Sequence, residues 1–256
     1  MSRYGAIGLI VGLAVVMAAA SSAEDAAPIN ATEWITRADS HLRGDANQMD
    51  ASLDVVTPKW ERTYQLRSWM LGTDKTFVRV LDPPKAKGQG FLKLASRLWQ
   101  YLPAAERTVL IPPSLMLEDF LGSDFSNDDF VKQSYLPRDY THQFIGQESV
   151  DGAPAYLIEL TPKPDAPVVY GKLRAWLRTT DAAFVKLEFY NEKLVHIRTL
   201  TYTNFQPLND RDYPMTWHMV NHLEAGHETT VTVRSAQFNL PVAEAIFTRE
   251  YLERSE

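Results

Sequence analysis

After Gly44 the chain adopts a spacing of two and returns to it nearly to its end. Met49, Ala51, Leu53 and Val55 alternate with Gln48, Asp50, Ser52 and Asp54. Alternation of this kind places one set of side chains on each face of a pleated strand. Further extended segments follow at Tyr64 to Met70, Phe77 to Val80, Phe91 to Ala95 and Leu98 to Leu102. From Tyr140 onward they recur at Thr141 to Glu148, Ala155 to Leu160, Leu173 to Arg178, Phe184 to Tyr190, Val195 to Phe205, Met215 to Leu223 and Thr229 to Phe238. Turn signals separate them: Asp151-Gly152, Asp181, Asn191-Glu192, Asn209-Asp210 and Gly226. Short turns imply antiparallel hairpins. Crossover helices, a glycine-rich phosphate loop and a 20–50-residue repeat are all missing from the sequence. About ten strands in series predict a meander curled into a barrel or half-barrel.

Two segments break the pattern. Before Gly44, Thr32 is expected to cap a helix running to Leu42, with Trp34, Ile35, Ala38 and Leu42 on one stripe. In the middle, Pro103, Pro112 and Pro113 bracket a short extended piece, Thr108 to Ile111. Ser114 to Leu121 then mixes bulky apolar residues with acids, and Ser126-Asn127-Asp128-Asp129 has the form of a capping box that opens a short helix. This region is expected to lie over the sheet as helices and loops.

The first residues read as an export signal. Arg3 supplies a positive start, Ala6 to Ala20 carry no charge, and Ser21-Ser22-Ala23 offer small residues ahead of Glu24. The apolar run of about 15 residues is shorter than the ~20 that span a bilayer. The expected organisation is therefore a cleaved signal peptide over 1–23, a flexible leader over 24–31 and one domain over 32–256. The sequence has no cysteine, so neither a disulfide nor a lipidated cysteine can form, and the product is expected to be free in its compartment. A net charge of -6 at pH 7 and the lack of a basic stripe argue against nucleic-acid binding.

Catalytic signatures are weak. Cysteine nucleophiles are excluded and there is no G-x-S-x-G elbow. His218, His222 and His227 are the best metal candidates, but Met219 stands where a helical H-E-x-x-H needs its glutamate. On a strand, residues four apart lie ~13 Å from each other, so His218 and His222 read as a solvated face, opposite Met215, Trp217, Met219 and Leu223. Glu118, Asp119, Asp124, Asp128 and Asp129 lack the spacing and terminal glutamate of a calcium loop. Neither a cofactor nor a metal is expected, and the chain is read as a non-enzyme.

Aromatic and methionine side chains are the stronger signal. Trp69, Met70, Phe91, Trp99 and Tyr101 lie on early strands, and Met116, Phe120, Phe125 and Phe130 on the middle segment. Such side chains adapt to irregular apolar ligands. Trp69, Phe91, Trp99, Tyr101, Met116, Phe120, Phe125 and Phe130 are the expected cavity or lid residues. Gly122 is the expected flexible point of the lid.

The stretch Leu98-Trp99-Gln100-Tyr101-Leu102-Pro103-Ala104, followed by Phe120-Leu121-Gly122-Ser123-Asp124-Phe125-Ser126-Asn127-Asp128-Asp129-Phe130, resembles the outer-membrane lipoprotein-sorting-like family of the LolA/LolB superfamily. Gly146-Gln147-Glu148, Tyr156 to Leu160, Trp176-Leu177, Asp212-Tyr213-Pro214 and Phe247-Thr248 add to the likeness, which covers nearly the whole chain after the signal. The resemblance implies a mainly β fold, one curved antiparallel sheet forming an incomplete β-barrel, with short helices covering an apolar cavity. It implies a periplasmic, monomeric carrier of lipid or lipoprotein acyl chains. An accessory or sensor subunit of an inner-membrane exporter of the resistance–nodulation–division (RND) type is the alternative. The acids of Ser114 to Asp119 depart from the family pattern, and no arginine can be matched to the one that latches the lid in related carriers.

Overall fold

The computed structural model describes residues 28–132, 136–164, 166 and 168–254. The expected signal peptide lies outside them, as does the first half of the leader.

A helix, α1 (Ala31–Arg43), precedes the sheet. Its N-cap is Asn30, whose side chain accepts from the Glu33 amide at 3.2 Å, rather than Thr32. Asparagine one position earlier supplies the same oxygen to the orphan amides. Ile35 and Ala38 are fully buried and Trp34 and Leu42 flank them, so the expected stripe is the buried one.

The strands are β1 (Ala46–Val56), β2 (Glu61–Leu71), β3 (Lys75–Asp82), β4 (Gly90–Leu94), β5 (Arg97–Leu102), β6 (Arg107–Ile111), β7 (Tyr140–Val150), β8 (Ala153–Pro162), β9 (Lys172–Arg178), β10 (Phe184–Tyr190), β11 (His196–Leu208), β12 (Arg211–Asn221) and β13 (Glu228–Phe238). They form one antiparallel sheet of thirteen strands, three more than the approximate count from alternation, in the order β6-β5-β4-β3-β2-β1-β13-β12-β11-β10-β9-β8-β7. The proline-bracketed piece Thr108 to Ile111 is the edge strand β6, where a neighbouring proline removes no ladder bond.

The topology has one consequence for function. Strands β1 to β6 step outward to one free edge, and β7 to β13 step back from the other free edge to pair with β1. The sheet is not closed. The connection from β6 to β7 must therefore run from edge to edge. It carries α2 (Asn127–Lys132) and α3 (Leu136–Asp139). Register shifts at Asp50/Ala51, Gln65/Leu66, Phe144/Gly146 and Phe189/Tyr190 add the local bend that a curved sheet requires.

Residues of one parity meet on the concave side: Leu53, Leu66, Val78, Phe91, Leu173, Leu187, Leu200, Trp217 and Val231 join one core with Ile35 and Ala38. Cross-strand register aligns Tyr202, Trp217, Val231, Leu53 and Tyr64 in one row over five strands. On the convex side, Trp69, Phe77, Leu92, Trp99 and Tyr101 form a separate cluster. Phe247 and Leu252 cover it, from a C-terminal strap that ends in α4 (Arg249–Leu252). Arg79, 2% exposed, holds this strap by donating to the Leu252 and Tyr251 carbonyls at 2.9 Å.

A lidded trough as the candidate functional site

The cover of the concave trough begins after β6. Residues 116–128 fold back on themselves: the Phe120 amide donates to the Phe125 carbonyl at 2.8 Å, and the Asn127 amide to the Glu118 carbonyl at 2.9 Å. Leu121 (φ 56°) and Gly122 (φ 76°) make the reversal, and glycine accepts that conformation without a side-chain clash. Met116, Phe120 and Phe125 point into the core from this plug, and the Phe120 ring lies 4.6 Å from that of Phe91.

Three polar fastenings hold the cover. Tyr64 Oη donates to the Leu121 carbonyl at 3.1 Å. Thr229 on β13 donates to the Asp124 carboxylate at 2.7 Å and accepts from the Asp124 amide at 2.9 Å. The third joins α2 to the opposite half of the sheet. Asp129 accepts from Tyr170 Oη at 2.7 and 2.8 Å, and Arg198 lies 3.4 Å from the same carboxylate and 3.3 Å from the phenol. Asp129 also accepts from the Ser126 amide and hydroxyl at 2.9 and 2.8 Å, so the expected capping box exists and carries the latch as well. Burial and the adjacent carboxylate push the Tyr170 phenol well above its ordinary range, so it stays a donor. Burial opposes the charge of Arg198, but Tyr170 and Asp129 beside it leave the guanidinium more basic than usual.

Beneath the cover are two small voids. The first, about 100 Å³, is bounded by Leu173, Phe184, Leu187, Phe189, Leu200 and Met219, with Asp39, Asp129, Asp139 and Tyr170 at its polar side. The second, about 90 Å³, lies among Met49, Ala51, Leu66, Val78, Trp217, Val231 and Tyr213, under Phe125. Leu42, in the last turn of α1, borders both. Each void is well below the ~300–1,000 Å³ of a typical ligand pocket, so an occupant of chain length requires the cover or α1 to yield. Beside the plug, an open groove of about 520 Å³ is bounded by Trp60, Arg62, Tyr64, Phe91, Ile111 and Leu121.

The expected cavity residues divide. Met116, Phe120 and Phe125 lie on the cover, and Phe91 lies on the concave wall beneath it. Trp99 and Tyr101 border neither void, which corrects their expected placement; Trp69 packs in the convex cluster with them but also borders the second void. Their parity turns them to the convex face, where the C-terminal strap buries them and Trp69 Nε1 donates to Gln48 at 3.1 Å. The side chain of Phe130 lies outside the described residues. Sequence reasoning missed Tyr170, Arg198, Thr229 and Tyr213. Arg198 shares the inward parity of Leu200 and Tyr202, and a cation on an otherwise apolar face was the available signal.

The histidines keep the solvent side expected of them, with His222 exposed and His218 half-buried. His222 meets His196, with ring centroids 4.4 Å apart, and both Nε2 atoms reach the Thr199 hydroxyl. His218 instead contacts Thr230 and Glu228. Leu223 does not join the inward face of β12; it is 65% exposed, beyond the end of the strand. Among the described residues no group of three or more His, Asp or Glu side chains is placed to hold a metal ion. No helix among them is long and apolar enough to cross a membrane.

Solved structures share this fold. A domain assigned as an outer membrane lipoprotein-sorting protein, from Vibrio parahaemolyticus, superposes with a TM-score of 0.78 at 24% identity, covering 88% of this chain and 98% of that one. A LolA superfamily protein from Nitrosomonas europaea gives a TM-score of 0.75 at 22% identity, over 88% and 100%. A DUF1329 family protein from Desulfovibrio piger gives 0.78 at 19%, over 87% and 97%. Residues 72–254 match a family model whose description reads "-like: Uncharacterized protein". The chain belongs to that family, and its fold is that of the LolA superfamily. No curated protein matches it. The region matched by the family model includes the plug, the latch and the convex strap, and begins just after β2.

Proposed function

We propose that this protein is a periplasmic carrier that shelters an acyl chain of a lipid or lipoprotein in the trough and acts without catalysis. The observation that carries the reading is the pair of apolar voids on either side of Leu42, beneath a cover fastened by the Asp129, Tyr170 and Arg198 cluster. A chain leaving water gains ~0.8 kcal/mol per buried methylene, so a largely apolar lining is sufficient to hold it and no reactive group is needed. The polar fastenings give the cover a closed state with defined contacts, while the small void volume requires that state to open for loading. The names of the Vibrio and Nitrosomonas proteins and the export-signal reading of residues 1–23 support the same compartment and cargo class.

Native mass spectrometry of protein purified from the periplasm, followed by lipid extraction, tests the proposal. A mass excess that extracts as a phospholipid or an acylated peptide is the expected result. An apo mass together with no uptake of offered lipids removes the carrier reading. The exporter-subunit alternative rests on the resemblance alone and predicts instead co-purification with an RND-type pump.

A further inference from the structure

Tyr213 borders the second void and is completely buried, with its ring 5.0 Å from that of Phe238. Among the described residues no donor or acceptor reaches its hydroxyl. Burying a hydroxyl without a partner costs about 1–3 kcal/mol, a loss that phenylalanine would avoid while keeping the same ring. Two other donors at this void are used within the protein: Trp217 Nε1 donates to the Pro214 carbonyl at 2.9 Å, and Asn47 donates to the Arg43 carbonyl at 2.9 Å, while the Ser68 and Thr76 side chains also border it. Burial raises the phenol far above its ordinary range, so it keeps its proton.

The void also restricts the charge of what can enter. Arg43 is the one cation on its wall among the described residues, and its guanidinium is held by Asp39 at 2.5 Å and by the Gly72 carbonyl at 3.0 Å. An anionic group placed here would be buried without a free counter-charge. A neutral acceptor is not penalised in this way, and Met49, Ala51, Leu66, Val78 and Val231 accept the hydrocarbon on either side of it.

We propose that Tyr213 is a ligand-binding residue whose hydroxyl donates a hydrogen bond to the neutral ester or amide carbonyl of the bound acyl chain. This rests on the acyl-carrier reading and adds to it: the second void receives the carbonyl end of the chain, and esterified or amidated chains are preferred over free carboxylates.

The test compares wild type with Tyr213→Phe, using methyl myristate and a hydrocarbon of the same chain length as probes. One hydrogen bond contributes about 0.5–1.5 kcal/mol net, so the variant is expected to bind the ester roughly 2–10-fold more weakly and the hydrocarbon equally well. In wild type alone, the infrared carbonyl stretch of a carbon-13-labelled ester is expected at lower frequency than in alkane solvent, and this reading requires no variant. An unshifted carbonyl band, or equal ester affinity in both proteins, overturns the assignment and means that the phenol serves water or nothing. If wild type takes up neither probe, the acyl-carrier reading itself fails, which is a separate outcome.

Discussion

The Tyr170 phenol and the Asp129 carboxylate meet at 2.7 Å across the gap between the sheet and the helix that covers it. Tyr170 precedes β9 in one half of the sheet, whereas Asp129 belongs to the segment arriving from β6 in the other half. The contact therefore joins two parts of the chain that the strand ladder leaves far apart, with Arg198 alongside to balance the charge.

Replacing Asp129 by Asn removes the charge at this contact while keeping the volume. Loss of charge-assisted hydrogen bonds of this kind costs about 1.5–3 kcal/mol. The expected outcome is a lower urea midpoint together with faster amide exchange in residues 116–129. Unchanged exchange in that segment would show that the contact does not hold the cover.

Leu42→Ala opens the partition between the two voids. Leu42 is only partly buried, so the cost is expected at the low end of the usual range for this change, about 2 kcal/mol. The merged space should take longer acyl chains with higher affinity relative to short ones. A chain-length series measured by native mass spectrometry checks this, and an unchanged preference would count against Leu42 as the divider.

Leu252→Ala tests the convex cluster. Leu252 is fully buried beside Trp99 and Tyr101, and its truncation should cost about 2–5 kcal/mol. Acyl binding measured well below the melting temperature is expected to equal that of wild type. A selective loss of binding would return Trp99 and Tyr101 to the site.

Acid is expected to loosen the joint between α1 and β7. His142 contacts the Leu136 carbonyl at 2.9 Å through Nε2 and the Thr32 hydroxyl at 3.1 Å through Nδ1. Burial, and Lys163 to a lesser degree, hold its pKa below the ordinary 6.5, so the folded state favours neutral imidazole. Its contribution is complete above 6.5 and is lost as pH falls through the lower folded value. His222 shifts in the same direction, from burial and His196, so wild type should be compared with His142→Gln at pH 7.5 and pH 5. The drop in urea midpoint between those two values should be smaller in the variant.

Most of the sheet was legible because alternation is a local property: Met49 to Val55 and Met215 to Met219 report their own strand and their own inward face. What alternation does not report is which face of a mixed strand receives the ligand. Trp69 and Leu66 are both large and apolar, and only the distant C-terminal strap decides that Trp69 is covered by protein on the convex side. The latch was hidden for the same reason. Ser126 and Asp129 are three residues apart and announce a cap, but Tyr170 and Arg198 reach them only after the sheet has curved. Tyr213 was visible as part of a turn, and its unused hydroxyl is a property of the packed interior alone.

The cover is anchored at both of the sheet's free edges, β6 and β7, and fastened to β13 and β11 between them. Anything that widened the trough would spread those edges and lengthen the span the cover has to bridge, as a strap tightens over an overfilled case. On the carrier reading proposed above, cargo volume and cover tension would act as one mechanical variable, and a loaded molecule would differ from an empty one in a feature that can be felt from outside.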